Sequence, residues 1–302
     1  MKPALSVIIV TFNHEREIGE CLPAIYERSS ARPLEIFVVD NSSDDGTVAA
    51  VNKCKLLYDS KDFRIEFVQN RDNKGYTLAV NQALNEASGE FILMLNPDTI
   101  VQKESIDLML QFLRDKPDTG AVAPQLLFPD GRIQPSCRRF PRYRFIVFEM
   151  MGLNRLFPTS SIFNGWKMGD FDHRSLKTVP QPQGSCLMLP RKVLEEVGNL
   201  DERFFLFFSD VDLCKRIWRS GRKIYFYPAA KVIHQRGSSI YRNRAASTWR
   251  SHRDFIRYFL KWSGLPVRWI SNILGIPLLL KLGVIRWGLY RLSKSSSKNA
   301  PP

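Results

Sequence analysis

The first 130 residues of this 302-residue chain repeat one pattern: a short apolar run, a polar break, then a stretch with helical periodicity. Strands are expected at Leu5–Val10, Glu35–Val39, Arg64–Val68, Glu90–Leu95 and Gly120–Leu127, and helices at Glu15–Arg28, Thr47–Tyr58, Tyr76–Ala87 and Lys103–Asp115. Strands alternating with helices of this length predict an α/β fold: a mostly parallel central sheet flanked by helices. Right-handed crossovers then bring the carboxyl ends of the strands to one edge, where open α/β sheets bind ligands.

That edge is polar at each turn. Thr11-Phe12-Asn13 follows the first strand, Asp40-Asn41-Ser42-Ser43-Asp44-Asp45-Gly46-Thr47 the second, Asn73-Lys74-Gly75-Tyr76 the third and Asn96-Pro97-Asp98 the fourth. Singly, each has an ordinary reading. Asp40 to Gly46 reads as a turn and helix cap, Gly75 as a source of positive φ, and Asp98 as a cap or Asx turn. Their succession at consecutive strand ends points instead to a ligand site. Pro97 stops the fourth strand and leaves Asp98 just beyond it, where a carboxylate suits a hard divalent cation carrying a diphosphate. Neither a Gly-x-Gly-x-x-Gly after the first strand nor a P-loop is present. A nucleotide here would be held by carboxylates and side-chain amides, with a metal on its phosphates.

The second half predicts a strand at Gln183–Leu189, a helix at Arg191–Val197 closed by Gly198, and a helix at Ser209–Arg219 with Ser209 as its N-cap. Short strands follow at Lys223–Tyr227 and Lys231–His234, then a helix at Ala245–Trp262. Between Phe128 and Gln181 the pattern is irregular. Arg138 to Arg144 is basic and aromatic, and Phe145 to Phe157 reads either as a helix or lid near a binding surface or as a core helix between loops. Asp210 and Asp212, two apart on one helix, point in different directions. His234 alone reads as an ordinary histidine beside a strand.

Together, Val7-Ile8-Ile9-Val10-Thr11-Phe12-Asn13, Val38 to Thr47, Asn73-Lys74-Gly75-Tyr76 and Leu95-Asn96-Pro97-Asp98 resemble glycosyltransferase family 2, in its rhamnosyltransferase-like subgroup. Gln183 to Arg191, Phe204 to Arg216 and Lys231 to Ser239 extend the resemblance, which spans roughly residues 5–240. It implies a GT-A fold and an inverting, metal-dependent transfer of a sugar, best matched by rhamnose from dTDP-rhamnose. The acceptor would be a hydroxyl of a glycan or lipid-linked molecule in bacterial cell-envelope polysaccharide synthesis. By the same resemblance, Asp98 and His234 would hold the divalent metal, Mg²⁺ or Mn²⁺, and Asp210 would be the catalytic base. Asp40 would contact the nucleobase or ribose, with Thr11, Asn13 and Ser42 nearby. Asn96 would lie at the ribose or metal, and Asn73, Gly75 and Gly184 along the nucleotide-sugar. Where the family usually reads Glu-Asp-x-Asp-Leu, this sequence has Ser209 in place of the Glu, so that extra carboxylate is missing here. A catalytic domain over 1–240 is implied, with a donor-binding half at 1–130 and an acceptor half at 131–240. A basic helical extension at 241–292 and a disordered tail at 293–302 follow.

Five scattered cysteines with no Cys-x-x-Cys pair predict reduced thiols and a cytoplasmic setting, and four unclustered histidines argue against zinc. Ala4–Phe12 runs straight into charged residues without a cleavage site, so it reads as a strand rather than a signal peptide. Charge is unevenly spread. Residues 1–214 hold 25 Lys and Arg against 29 Asp and Glu (−4), whereas residues 215–302 hold 19 against Asp254 alone (+18). Such a third implies an anionic partner, a membrane surface or nucleic acid. No nucleic-acid motif is present, and the strand-end carboxylates would repel phosphate without a metal. A nucleotidyltransferase would need a basic, glycine-rich loop where Thr11-Phe12-Asn13-His14-Glu15 stands. From Leu265 to Arg291 the chain is apolar but interrupted. Its longest charge-free run, Trp269–Leu280, has 12 residues, short of the roughly 20 a spanning helix needs. It is expected to lie in the interface of an anionic membrane, with Trp269, Trp287 and Tyr290 among headgroups, making the protein peripheral on the inner face of the cell membrane. The alternative is a helix packed on the catalytic domain or a dimer partner. The sequence leaves the oligomeric state open.

Overall fold

The computed structural model describes residues 3–235 and 244–262, together with helical positions scattered between 273 and 288. The expected alternation is present: the limits of two helices, Glu15–Arg28 and Thr47–Tyr58, are as expected, and the other boundaries agree or move by a residue or two. The elements are β1 (Leu5–Thr11), α1 (Glu15–Arg28), β2 (Leu34–Asp40), α2 (Thr47–Tyr58), β3 (Phe63–Gln69), α3 (Tyr76–Glu86), β4 (Phe91–Leu95), β5 (Thr99–Val101), α4 (Ser105–Asp115) and β6 (Thr119–Leu127). After them come β7 (Cys137–Arg138), α5 (Tyr143–Met150), α6 (Leu153–Leu156), β8 (Lys177–Thr178), β9 (Gln181–Pro182), β10 (Cys186–Pro190), α7 (Arg191–Val197), α8 (Ser209–Arg219), β11 (Lys223–His234) and α9 (Arg244–Trp262).

β1 is buried along its whole length because both faces of the sheet are covered. Leu5, Val7 and Ile9 join a core with Ile18, Leu22 and Ile25 of α1, Val51 of α2 and Leu110 of α4. Ile8 and Val10 join the opposite core with Ala79 and Leu84 of α3, Val193 of α7 and Leu213 and Ile217 of α8. All five cysteines are free and buried. Burial pushes the Cys21 and Cys137 thiols up to about 12, so they are packing groups rather than nucleophiles.

The sheet runs β3-β2-β1-β4-β10-β6-β11-β5. β3, β2, β1 and β4 are parallel, and register sets Thr11 beside Asp40 and Asp40 beside Gln69. β10 enters antiparallel between β4 and β6, with Cys186 beside Leu95. The residues just before β10 therefore meet the carboxyl end of β4. β11 runs parallel to β6 and ends at His234 on the same edge.

Four expectations shift. Lys223–Tyr227 and Lys231–His234 are one strand, β11, interrupted by a register slip between Tyr227 and Lys231. Pro228 lies there and cannot donate to a ladder. The strand expected from Gln183 begins only at Cys186, because Gln181–Pro182 pairs with Cys137–Arg138 in a separate two-stranded sheet. β5 was absent from the expected elements, being three residues long and too short to show a period. Ser209 is not the N-cap of α8: Phe208 takes that place at φ 68°, and no side chain caps the helix. Most of Leu265–Arg291, including Trp269 and Tyr290, and the tail from Ser293 lie outside the described residues. Among the described residues no helix is long and apolar enough to cross a membrane.

Candidate active site

The first two strand-end loops are built around one carboxylate. Asp40 is fully buried. Its Oδ1 accepts from Thr11 Oγ1 at 2.9 Å and from the Ser43 hydroxyl, and its Oδ2 accepts from Ser43 N at 2.9 Å. Asn13, at φ 60°, accepts from Asp44 N at 2.9 Å through its side-chain oxygen, and its own N–H donates to Ser43 Oγ at 2.8 Å. Ser42 between them also has positive φ, 66°. Asp40 thus ties the loop carrying Asn13 to the loop carrying Ser42.

Asn41 joins this edge to the third loop. Its Nδ2 donates to Gly75 O at 3.1 Å, and its Oδ1 accepts from Asn70 at 2.9 Å. Asn73 accepts from Gly75 N at 3.0 Å, closing an Asx turn. Gly75 sits at φ +86°, and a Cβ there would fall 2.6 Å from Phe205 O. Only glycine allows that approach, so the third loop is pressed against the segment leading to Asp210.

Asp98 and His234 face each other. β5 pairs Thr99 with His234, and Gln235 N donates to Asp98 O at 2.9 Å. His234 Nε2 stands 3.5 Å from Asp98 Oδ1, with both residues buried. On the far side of the ring, Nδ1 lies 2.7 Å from Gln134 Oε1. With Gln134 Oε1 as the acceptor, Nδ1 is the donor of that bond, and Nε2 is the ring nitrogen presented to the carboxylate. Two acceptors converging on one point, one nitrogen and one oxygen, form a donor set suited to a divalent cation. Mg²⁺-like ions commonly take one or two carboxylate contacts and complete their shell with substrate phosphates and water. Among the described residues no group of three or more His, Cys, Asp and Glu side chains gathers at one point.

Asp210, in the first turn of α8, is held against the stretch before β10. Gly184 N donates to its Oδ2 at 3.0 Å and Val211 N to its Oδ1 at 2.9 Å. Desolvation raises its pKa above the ordinary carboxylate range, and these two backbone bonds partly oppose the shift. A Cβ on Gly184 would lie 2.8 Å from Asp210 Oδ2. One residue on, Ser185 O accepts from Asn96 N at 2.9 Å. The loop bearing Asp98 and the carboxylate of Asp210 are therefore linked through Asn96, Ser185 and Gly184 on one edge of the sheet. The Tyr76 hydroxyl is held protonated by burial and by the negative charge of Asp210. Asp212 turns away, is fully buried, and accepts from Arg216 at 2.9 Å and Trp262 Nε1 at 3.0 Å, with Lys261 Nζ at 2.6 Å.

Three contributions had weak or no signal in the sequence. Gln134 lies 100 positions from the histidine it orients. Tyr76 shows its tie to Asp210 only once folded. Asp254, the lone acid of the basic third, is fully buried and accepts from Leu206 N and Phe207 N, each at 3.3 Å. Its isolation among cations was the available clue.

The profile described as Glycosyl transferase family 2 matches residues 6–198. The chain is 27% identical over 288 residues to N-acetylglucosaminyl-diphospho-decaprenol L-rhamnosyltransferase of Mycobacterium tuberculosis, covering 89% of each chain. It is 26% identical over 273 residues to the low-salt glycan biosynthesis hexosyltransferase Agl10 of Haloferax volcanii, covering 89% of this chain and 78% of that one. Among solved structures, the mannosyltransferase PcManGT from Pyrobaculum calidifontis, in complex with GDP-Man and Mn²⁺, superposes with a TM-score of 0.58 at 19% identity. That match covers 100% of this chain and 77% of the other.

Proposed function

Because this chain belongs to glycosyl transferase family 2 and is a glycosyltransferase, we propose that it moves one sugar, rhamnose from dTDP-rhamnose, onto a hydroxyl of a lipid-linked glycan acceptor, with inversion. The rhamnosyl assignment draws on the resemblance of the strand-end motifs and on the name of the mycobacterial relative. The observation that carries the reading is the Gly184 bond to Asp210, which sets a desolvated carboxylate beside the loop of Asp98.

Asp98 and His234 would hold Mg²⁺ or Mn²⁺ with the donor diphosphate. When bound, the cation acts as a Lewis acid that lets the nucleoside diphosphate leave. Asp40 would contact the nucleobase or ribose, with Thr11, Asn13 and Ser42 nearby. Asn73 and Gly75 would lie along the nucleotide-sugar, with Asn96 at the ribose or metal and Gly184 below the sugar. Asp210 takes the acceptor hydroxyl proton as its oxygen bonds to the anomeric carbon. The bond to the donor phosphate breaks with its electron pair leaving on the diphosphate, so a single displacement inverts the configuration. A positioned base contributes about 10²–10⁴-fold.

The test is transfer from dTDP-rhamnose, with UDP- and GDP-sugars as competitors, each with and without divalent cation. Asp210→Asn should abolish transfer and keep nucleotide-sugar binding. Near-normal turnover by that variant would remove Asp210 as the base, and a preference for another nucleotide would replace the donor.

A further inference from the structure

We propose that α5, α6 and the helical residues between 273 and 288 form one apolar face that seats on an anionic lipid surface. The extended role of α5 and α6 rests on packing.

α5 is two-sided. Phe145 and Ile146 are buried, while Val147, Met150 and Met151 form a stripe of neighbouring positions that is 43–64% exposed. Leu156, Phe157 and Ile162 carry the apolar surface onward, 49–71% exposed. A run of large apolar side chains this open is unusual on a surface that meets only water. The stripe does not stop at the end of α5. Tyr143 shares its face with Val147 and Met150, at spacings of four and seven. Its ring stacks on Phe259 at 4.0 Å, and Gly275 lies against it so closely that a Cβ would fall 2.3 Å from the ring.

The C-terminal helical residues therefore abut α5. Leu279 is buried in a cluster with Ile146, Phe255 and Phe259, and Gly283 lies against His252. Gly275, Leu279 and Gly283, four apart, turn inward. Ile273, Leu280, Val284 and Ile285 remain 43–66% exposed. Two elements more than a hundred residues apart thus pack on each other, and each leaves large apolar side chains exposed.

Charge selects the occupant. Arg142, Arg144, Arg155 and Lys281 flank this surface and are exposed, and residues 215–302 carry 19 basic residues against one acid. A second copy docking through the same patch would bring each basic third against its twin, since a twofold interface is self-complementary. A bilayer with acidic headgroups satisfies both the apolar stripe and its basic flanks. This proposal uses none of the catalytic assignments, so its failure and theirs are separable.

The experiment is flotation of the full-length protein with phosphatidylcholine vesicles, with and without phosphatidylglycerol. Binding should be at least about tenfold tighter with the anionic lipid and should weaken in high salt. A Met150→Glu, Met151→Glu, Leu156→Glu variant should float at least about tenfold less, with an unchanged melting temperature and unchanged transfer to a soluble acceptor. Asp210→Asn should float like the parent. Failure of the parent to bind overturns the proposal, as does equal binding by the triple variant. So does a dimer in sedimentation velocity that the triple variant dissociates, which would make the face a contact between copies.

Discussion

At the scale of single residues, Gln134 decides what His234 offers to Asp98. Gln134→Ala removes the acceptor at 2.7 Å that holds the ring nitrogen. Loss of such an orienting partner costs about 10–100-fold in metal affinity. Mn²⁺ titration should show that loss, and ¹⁵N chemical shifts of the ring should show a change of tautomer while the melting temperature stays near the parent's. Asp210 makes a pH prediction. In its proposed role as base Asp210 must be ionised, and desolvation raises the pH at which this carboxylate gives up its proton. Activity should therefore fall on acidification at a pH above the ordinary carboxylate range, and the acid limb of kcat/KM checks it. Gly184→Ala places a methyl 2.8 Å from Asp210 Oδ2. Displacing the carboxylate by about an ångström should lower kcat by roughly 10². The strand-end residues were legible because each stands at a break between apolar run and helix. Gln134 was not, since a lone glutamine in an irregular stretch has no pattern to betray its partner.

At the scale of elements, α9 supplies none of the proposed site residues, yet it packs directly on the segment that leads into Asp210. Its Asp254 satisfies the N–H groups of Leu206 and Phe207, and Phe255 stacks on Phe208 at 5.0 Å. Phe208 keeps a left-handed φ of 68° immediately before α8. A bulky residue in that region costs on the order of 1–3 kcal/mol, and the packing of α9 offsets it. Asp254→Ala should leave two partly buried N–H groups without this acceptor, destabilise the fold by about 1–3 kcal/mol and lower kcat more than nucleotide-sugar affinity. Chemical denaturation and steady-state kinetics together test this. Helix limits such as those of α1, α2 and α8 were readable from periodicity. β5, which turns Asp98 toward His234, escaped because three residues carry no period, and its pairing depends on a strand more than a hundred positions away.

At the scale of the whole molecule, the chain returns on itself. β10 lies between β4 and β6, both from the first 130 residues, and runs against them. The parallel part of the sheet was readable from alternating strands and helices. The inserted strand was readable as a strand but not by its place, which long-range pairing alone determines. A polypeptide severed near residue 130 would consequently yield no autonomous donor-binding fragment. The N-terminal piece would expose a vacant slot between two strands, and the C-terminal piece would hold the plug. Mixed together, the pieces should recover activity only on association, with a second-order dependence on their concentrations.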